Sequence, residues 1–491
     1  MKDSKLVKIL KTFSEQEFSE FEKFTDSPFF CNSKILPEFL KFIKQFYPDF
    51  NDEKFNAELI FNELYPGKIF ESKTSENLIH KLSSELFKLC KEFLIHSKLK
   101  NDDNRRKYYL LESFRTKKLN SEFEKEYKIS GSDGNDIYKG GTDNFINNYF
   151  RTKSFLEYSI DKGKAVDAFE SILTTGEYIV IAALTKGFRN GDTNLAALNY
   201  NIDTRYNLID NFISHLDSEK LLASMKKNND RFYPYAEVSY GIHKIFKYPD
   251  DDRHYFNLKN LVFNHYDLFG HTERYILYHT LISFCSRRLY AEDSELFKSE
   301  EFDLFEKILE LGIYKYSQND SIQINSFRSI ILSAVDNNKL EWAENFVKNY
   351  LKELHPEYQE NMRYYSMAII HFEKNEYEKA LENIVKVKYD FILFKSDVKN
   401  YMFKIYYELG LFDQAYSMLD TMRHYNTRTK DISDSFKQRE TNFIKYAAEL
   451  LKIRSRDQKT SLEYLKDKAE AEKFLGSRNW IIEKCTKHKD N

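Results

Sequence analysis

Three alanines set the strongest constraint on what this chain can fold into. Ala343, Ala380 and Ala415 lie 37 and 35 residues apart and share one local pattern. Five residues before each stands Asn338, Asn375 or Gly410, residue types that tolerate the left-handed backbone of a helix C-terminus. Three residues before each comes a large side chain (Leu340, Tyr377, Phe412), four after comes Val347, Ile384 or Leu419, and seven after comes Tyr350, Val387 or Met422. On the preceding segment Ile330, Met367 and Met402 align, as do Val335, Phe372 and Tyr407. The pattern predicts a helix, a tight turn and a second helix, with the alanine where the two backbones come closest. A weaker copy centres on Ala168, with Gly163 before it, Ile172 after it, and Phe155 and Leu156 on the earlier helix; its Thr175 departs from the apolar position.

Composition agrees with helices throughout. Only 14 glycines and 7 prolines punctuate 491 residues, too few for the many turns of a large sheet protein. Hydrophobic residues at 42% and charged residues at 31% are the balance of a folded chain, not a disordered one. At this length several domains or one extended array is expected.

The first hundred residues read as a compact helical region. Ser14 and Glu17 form a capping-box pattern ahead of Phe18, Phe21 and Phe24, which recur at helical spacing. Pro28 ends that helix, Tyr47-Pro48 and Pro66-Gly67 end later ones, and Leu78, Leu82, Leu86, Leu89 and Phe93 form one stripe of a long helix from about Ser75 to Lys98. Four glycines between Ser130 and Gly141 mark a connector. Breaks then fall at Lys162-Gly163, Arg189-Asn190-Gly191, Asn228-Asn229-Asp230, Pro249-Asp250 and Gly270. The expected organisation is a helical region over 1–100, degenerate helix pairs over 101–300, regular pairs over 301–450 and capping helices over 451–491.

The register of residues 325–425 resembles tetratricopeptide repeats, whose period is about 34 residues. It departs from them where Lys399 replaces the aromatic seen as Phe327 and Tyr364, and where the closing proline is missing, Pro356 being the nearest. Separated motifs over more of the chain resemble a family of long, helical, uncharacterised bacterial proteins: Phe13-Ser14 through Ser27-Pro28-Phe29-Phe30, Tyr65-Pro66-Gly67-Lys68, Tyr406 to Gly410 and Trp480 to Lys484. That resemblance implies architecture and brings no activity with it. The expected fold is therefore all-α, an α-solenoid or superhelical array of antiparallel helix pairs with an N-terminal helical cap. Arrays of this kind expose a concave groove lined by the first helix of each pair. Spacing places Asn325, Arg328, Tyr365, Asn400 and Lys404 in that groove as candidate partner-binding residues.

Catalytic patterns are weak. Gly67-Lys68-Ile69 and Gly163-Lys164-Ala165 lack the earlier glycine and the following Ser or Thr of a phosphate loop. Asp133, Asn135 and Asp136 invite a calcium reading, but Ile137 and Tyr138 stand where a ligand and a glycine are needed. His279 and Cys285 could suggest a base and a nucleophile, yet a packed helix explains them more simply. The four cysteines, Cys31, Cys90, Cys285 and Cys485, form no close pair, the usage of a reducing compartment. No signal peptide is expected at the N-terminus, and the longest uncharged apolar run, Tyr275 to Ser286, is shorter than the roughly 20 residues of a membrane span. Lys and Arg total 75 against 77 Asp and Glu, without the basic excess of a non-specific nucleic-acid binder. The best basic-aromatic patch runs from Arg105, Arg106, Lys107, Tyr108 and Tyr109 to Arg115, Lys117 and Lys118, diluted by Asp102, Asp103 and Glu112. The expectation is a cytoplasmic, non-enzymatic scaffold without cofactor, metal or membrane that binds a protein or peptide partner, with a nucleic-acid or signalling-peptide module acting through residues 105–118 as the alternative.

Overall fold

The computed structural model describes residues 3–51, 55–130, 139, 141–191, 207–292, 294–388, 392–429, 434–456 and 462–487. Asp133, Asn135 and Asp136 lie outside them. Among the described residues the chain is helical, with no strand and one isolated parallel bridge between Ile322 and Leu354. Internal contacts group the chain into two units, residues 1–132 and 133–491.

The first unit contains α1 (Lys5–Leu10), α2 (Glu15–Asp26), α3 (Ile35–Lys44), α4 (Ala57–Leu64), α5 (Ser72–Lys100), α6 (Asp103–Thr116) and α7 (Asn120–Ser130). Its capping box is formed: the Glu17 amide donates to Ser14 Oγ at 3.2 Å and the Ser14 amide to Glu17 Oε2 at 2.8 Å. The long helix α5 carries the stripe Leu82, Leu86, Leu89 and Phe93 into a core where Phe13, Phe21 and Phe24 meet the Phe93 ring at 5.2–5.7 Å between centroids. Helices α1 to α4 thus share one apolar spine supplied by α5.

The second unit runs through α8 (Gly141–Asp161), α9 (Ala165–Phe188), α10 (Leu208–Ser214), α11 (Ser218–Lys227), α12 (Tyr233–Lys247), α13 (Asp252–Asn264), α14 (His271–Glu292) and α15 (Glu295–Glu310). It continues with α16 (Ile324–Asp336), α17 (Leu340–Tyr350), α18 (Pro356–Glu373), α19 (Tyr377–Ile384), α20 (Ile392–Glu408), α21 (Phe412–Arg428), α22 (Asp434–Arg456), α23 (Leu462–Ala471) and α24 (Arg478–Lys487). Sequential helices pack together, and the first helices of successive pairs also touch, α16 on α18 and α18 on α20.

The alanine register is physically realised. Ala343, Ala380 and Ala415 are each fully buried, and Ala168 is nearly so. Asn338, Asn375, Gly410 and Gly163 have φ of 56°, 60°, 71° and 67°. At each, the following amide bonds a carbonyl five residues back, as Lys339 does to Ala334 at 2.8 Å and Glu376 to His371 at 2.9 Å. These are helix ends closed by a left-handed residue, which satisfies carbonyls the helix leaves open. The same closure recurs at Lys118, Gly312 and Asn229, the last within the break expected at 228–230. The far end is sealed by Trp480, whose ring meets Tyr407 of α20 at 5.2 Å and Phe443 of α22 at 6.5 Å. Its indole N–H donates to Glu408 at 3.2 Å, and Lys484 pairs with the same carboxylate at 2.6 Å.

Candidate functional site

The inner residues of α16, α18 and α20 form a charged seam. Arg328, Tyr365 and Asn400 occupy one column, each 15 residues before its alanine. Asp397 lies one turn before Asn400 and therefore on the same face of α20. The Arg328 guanidinium donates to Asp397 through Nε at 2.5 Å and Nη2 at 2.8 Å, and the Tyr365 hydroxyl donates to Asp397 Oδ2 at 2.6 Å. One carboxylate thus ties three helices together. Burial opposes charge on Arg328, but Asp397 and the Tyr365 hydroxyl outweigh it and raise its pKa. Burial, then Asp397, holds the Tyr365 phenol well above its ordinary value.

Further along, Lys404 is 7% exposed and lies over the rings of Tyr401 at 4.8 Å, Trp480 at 5.8 Å and Phe372 at 5.9 Å. Burial lowers its pKa, and nearby carboxylates resist that shift. Ser396 donates to Glu440 Oε2 at 2.8 Å and Asn400 at 3.2 Å. Burial raises the Glu440 pKa against those two hydrogen bonds. Ser396, Lys399, Asn400, Tyr425, Asn426 and Glu440 line a recess of about 10 Å³, on the order of a single water and far below the 300–1,000 Å³ range of most small-molecule sites.

Of the five residues expected to line a partner groove, Asn325 alone is exposed. Arg328 and Tyr365 are joined through Asp397, Asn400 is turned to Glu440, and Lys404 is buried among aromatic rings. The physical reason is close helix packing: α16, α18 and α20 approach near enough for Arg328 to reach Asp397, 69 residues away. Sequence reasoning missed Asp397 and Glu440. Helical spacing from Asn400 and Lys404 was the available signal for Asp397.

Other candidates show structural chemistry. Cys285 donates to the Tyr255 hydroxyl at 3.3 Å, and burial pushes its thiol up to about 12. Burial drives His279 down to about 4, opposite to what a working base requires. Glu273 is 3% exposed, accepts from Tyr235 at 2.9 Å and pairs with Arg189. Among the described residues no group of three His, Cys, Asp or Glu side chains could hold a metal ion. On α6, Arg105 pairs with Asp102 at 3.4 Å, Lys107 with Asp103 at 3.0 Å and Arg115 with Glu112 at 2.9 Å.

The most unusual surface is on α9. Its buried side carries Ala168, Ser171, Tyr178, Ile181, Ala182 and Thr185. Its other side leaves Val166 71%, Phe169 69%, Leu173 71% and Val180 64% exposed, with Ile172 and Ile179 nearly half exposed beside them. The helix is apolar on both faces, and its own chain covers one. By length and composition α9 is the one described helix able to cross a membrane, with 39% of its apolar window buried. The uncharged-run reading passed over it because Glu170 and Glu177 interrupt the run.

Comparison of the chain with protein-family models, with curated proteins and with solved structures finds no significant match.

Proposed function

We propose that this chain is a non-enzymatic interaction scaffold, an α-solenoid of tetratricopeptide-like helix pairs that engages a protein partner through the outward face of α9. The observation that carries this reading is the exposed apolar stripe Val166, Phe169, Leu173 and Val180. Isolated exposed leucines are ordinary, but a contiguous apolar surface of several hundred Å² marks a contact site. The repeated left-handed turns and buried alanines of α16 to α21 support the solenoid assignment. The seam inside those helices serves rigidity in this reading, since its charges are engaged with one another.

Nucleic-acid or signalling-peptide binding through α6 is the weaker reading, because Arg105, Lys107 and Arg115 each already face an acid on their own helix. A photo-crosslinking residue placed at Leu173, and separately at Asn325, in chain expressed in its own cell decides where partners bind. Adducts with protein from position 173 and none from 325 are expected. Adducts from 325 alone would return the contact to the inner face, and no protein adduct from either would overturn the scaffold reading.

A further inference from the structure

The exposed stripe of α9 carries a spacing that points to its occupant. Val166, Phe169, Leu173, Gly176, Val180 and Ala183 follow one another at intervals of three and four, the seam of a two-helix coiled coil. All six lie on the solvent side, and nothing stands within 4 Å of where a Cβ on Gly176 would be. The larger residues fill the first half of the seam and the smaller ones the second, so that the seam complements itself when reversed. Laid antiparallel on a second copy, Val166 meets Ala183, Phe169 meets Val180 and Leu173 meets Gly176. Each layer joins a larger side chain to a smaller one, as interdigitated packing requires.

The flanks fit the same arrangement. On one side Ile172 of one copy comes opposite Ile179 of the other and widens the apolar contact. On the other side Glu170 comes opposite Glu177, and Arg231, bonded to Glu177 at 2.6 Å and half exposed, supplies the opposite charge between them. Val166, Phe169, Ile172, Leu173, Ile179 and Val180 present roughly 600 Å² per copy, so complete coverage of both faces buries about 1,200 Å², the lower bound of a stable specific interface.

We propose that this chain forms a two-fold homodimer by antiparallel pairing of the α9 faces. The proposal rests on the reading of α9 as a contact surface and names a second copy as what covers it.

Sedimentation of the purified full chain tests it. A two-chain species is expected, and Leu173→Glu is expected to weaken association at least about 30-fold while leaving the circular-dichroism spectrum unchanged, because Leu173 is 71% exposed. Leu173→Ser serves as the second variant should the charge disturb folding. Geometry is read by disulfide trapping in a Cys31→Ser background. Val166→Cys combined with Ala183→Cys is expected to cross-link two chains, whereas Val166→Cys alone is not, since antiparallel pairing holds the two 166 positions about 25 Å apart. A single-chain species at all concentrations, or efficient cross-linking of Val166→Cys alone, would overturn the proposal. A single-chain protein that floats with phosphatidylcholine–phosphatidylglycerol vesicles, and loses this with Leu173→Glu, would assign the face to lipid and overturn it too. A single-chain protein whose position 173 cross-links to a different protein in the cell would overturn the dimer and leave the scaffold reading standing.

Discussion

Glu301 shows how a single buried group reports on this core. It lies on α15 where α14 and α16 meet, is 8% exposed and accepts from Ser286. Burial, partly offset by the Ser286 hydrogen bond and the nearby Ser333 hydroxyl, raises its pKa from 4.5 to about 7. Between those values the folded chain holds a proton that the unfolded chain has released, so stability falls as pH rises through the window. Glu301→Gln should flatten this decline, removing on the order of 3 kcal/mol of pH dependence between about pH 4.5 and about pH 7. His279 contributes with the opposite sign, since its lowered pKa makes acidification favour the unfolded state below 6.5. Thermal melts of each variant against the parent across that range separate the two. The seam gives a second test. Arg328→Ala strands the Asp397 carboxylate and should cost about 3–5 kcal/mol in urea unfolding, whereas Arg328→Met with Asp397→Leu should recover most of it. Equal losses in the single and double variants would mean the ion pair itself holds the helices.

At the scale of helices, the turns were legible and the long-range ties were not. Asn338, Asn375 and Gly410 could be placed because a helix end is closed by neighbours within six residues. The partner of Arg328 could not, because Asp397 is brought to it only by the stacking of α16, α18 and α20. Spacing along one helix therefore left Arg328, Tyr365, Asn400 and Lys404 pointing at solvent, whereas each is engaged by a neighbouring helix. Lys118 escaped notice because a lysine carries no turn signature, although its φ is 57°. Two substitutions test the hairpin geometry. Ala380→Leu forces bulk into a fully buried notch and should destabilise by about 1–3 kcal/mol. Gly410→Ala has open space around the new methyl, so only the left-handed backbone resists it, and the cost should be about 1 kcal/mol. Chemical denaturation reads both.

Across the whole molecule, interior and surface differ in chemistry. The charged and polar side chains of the second unit that first suggest a site, Arg328, Asp397, Lys404, Glu273 and Glu301, lie inside and are engaged by other parts of the fold. The exposed surface proposed here as a contact site is apolar and sits on α9. Sequence alone hides it, because a heptad of Val, Phe, Leu and Val reads as core until the fold shows which side is already covered. Hydroxyl-radical footprinting of Phe169 and Leu173 in intact cells, set against the purified chain at high dilution, tests this claim most directly. The account predicts that both side chains are protected from oxidation in the cell and freely oxidised in the dilute chain. Equal oxidation of both in the two settings would contradict it.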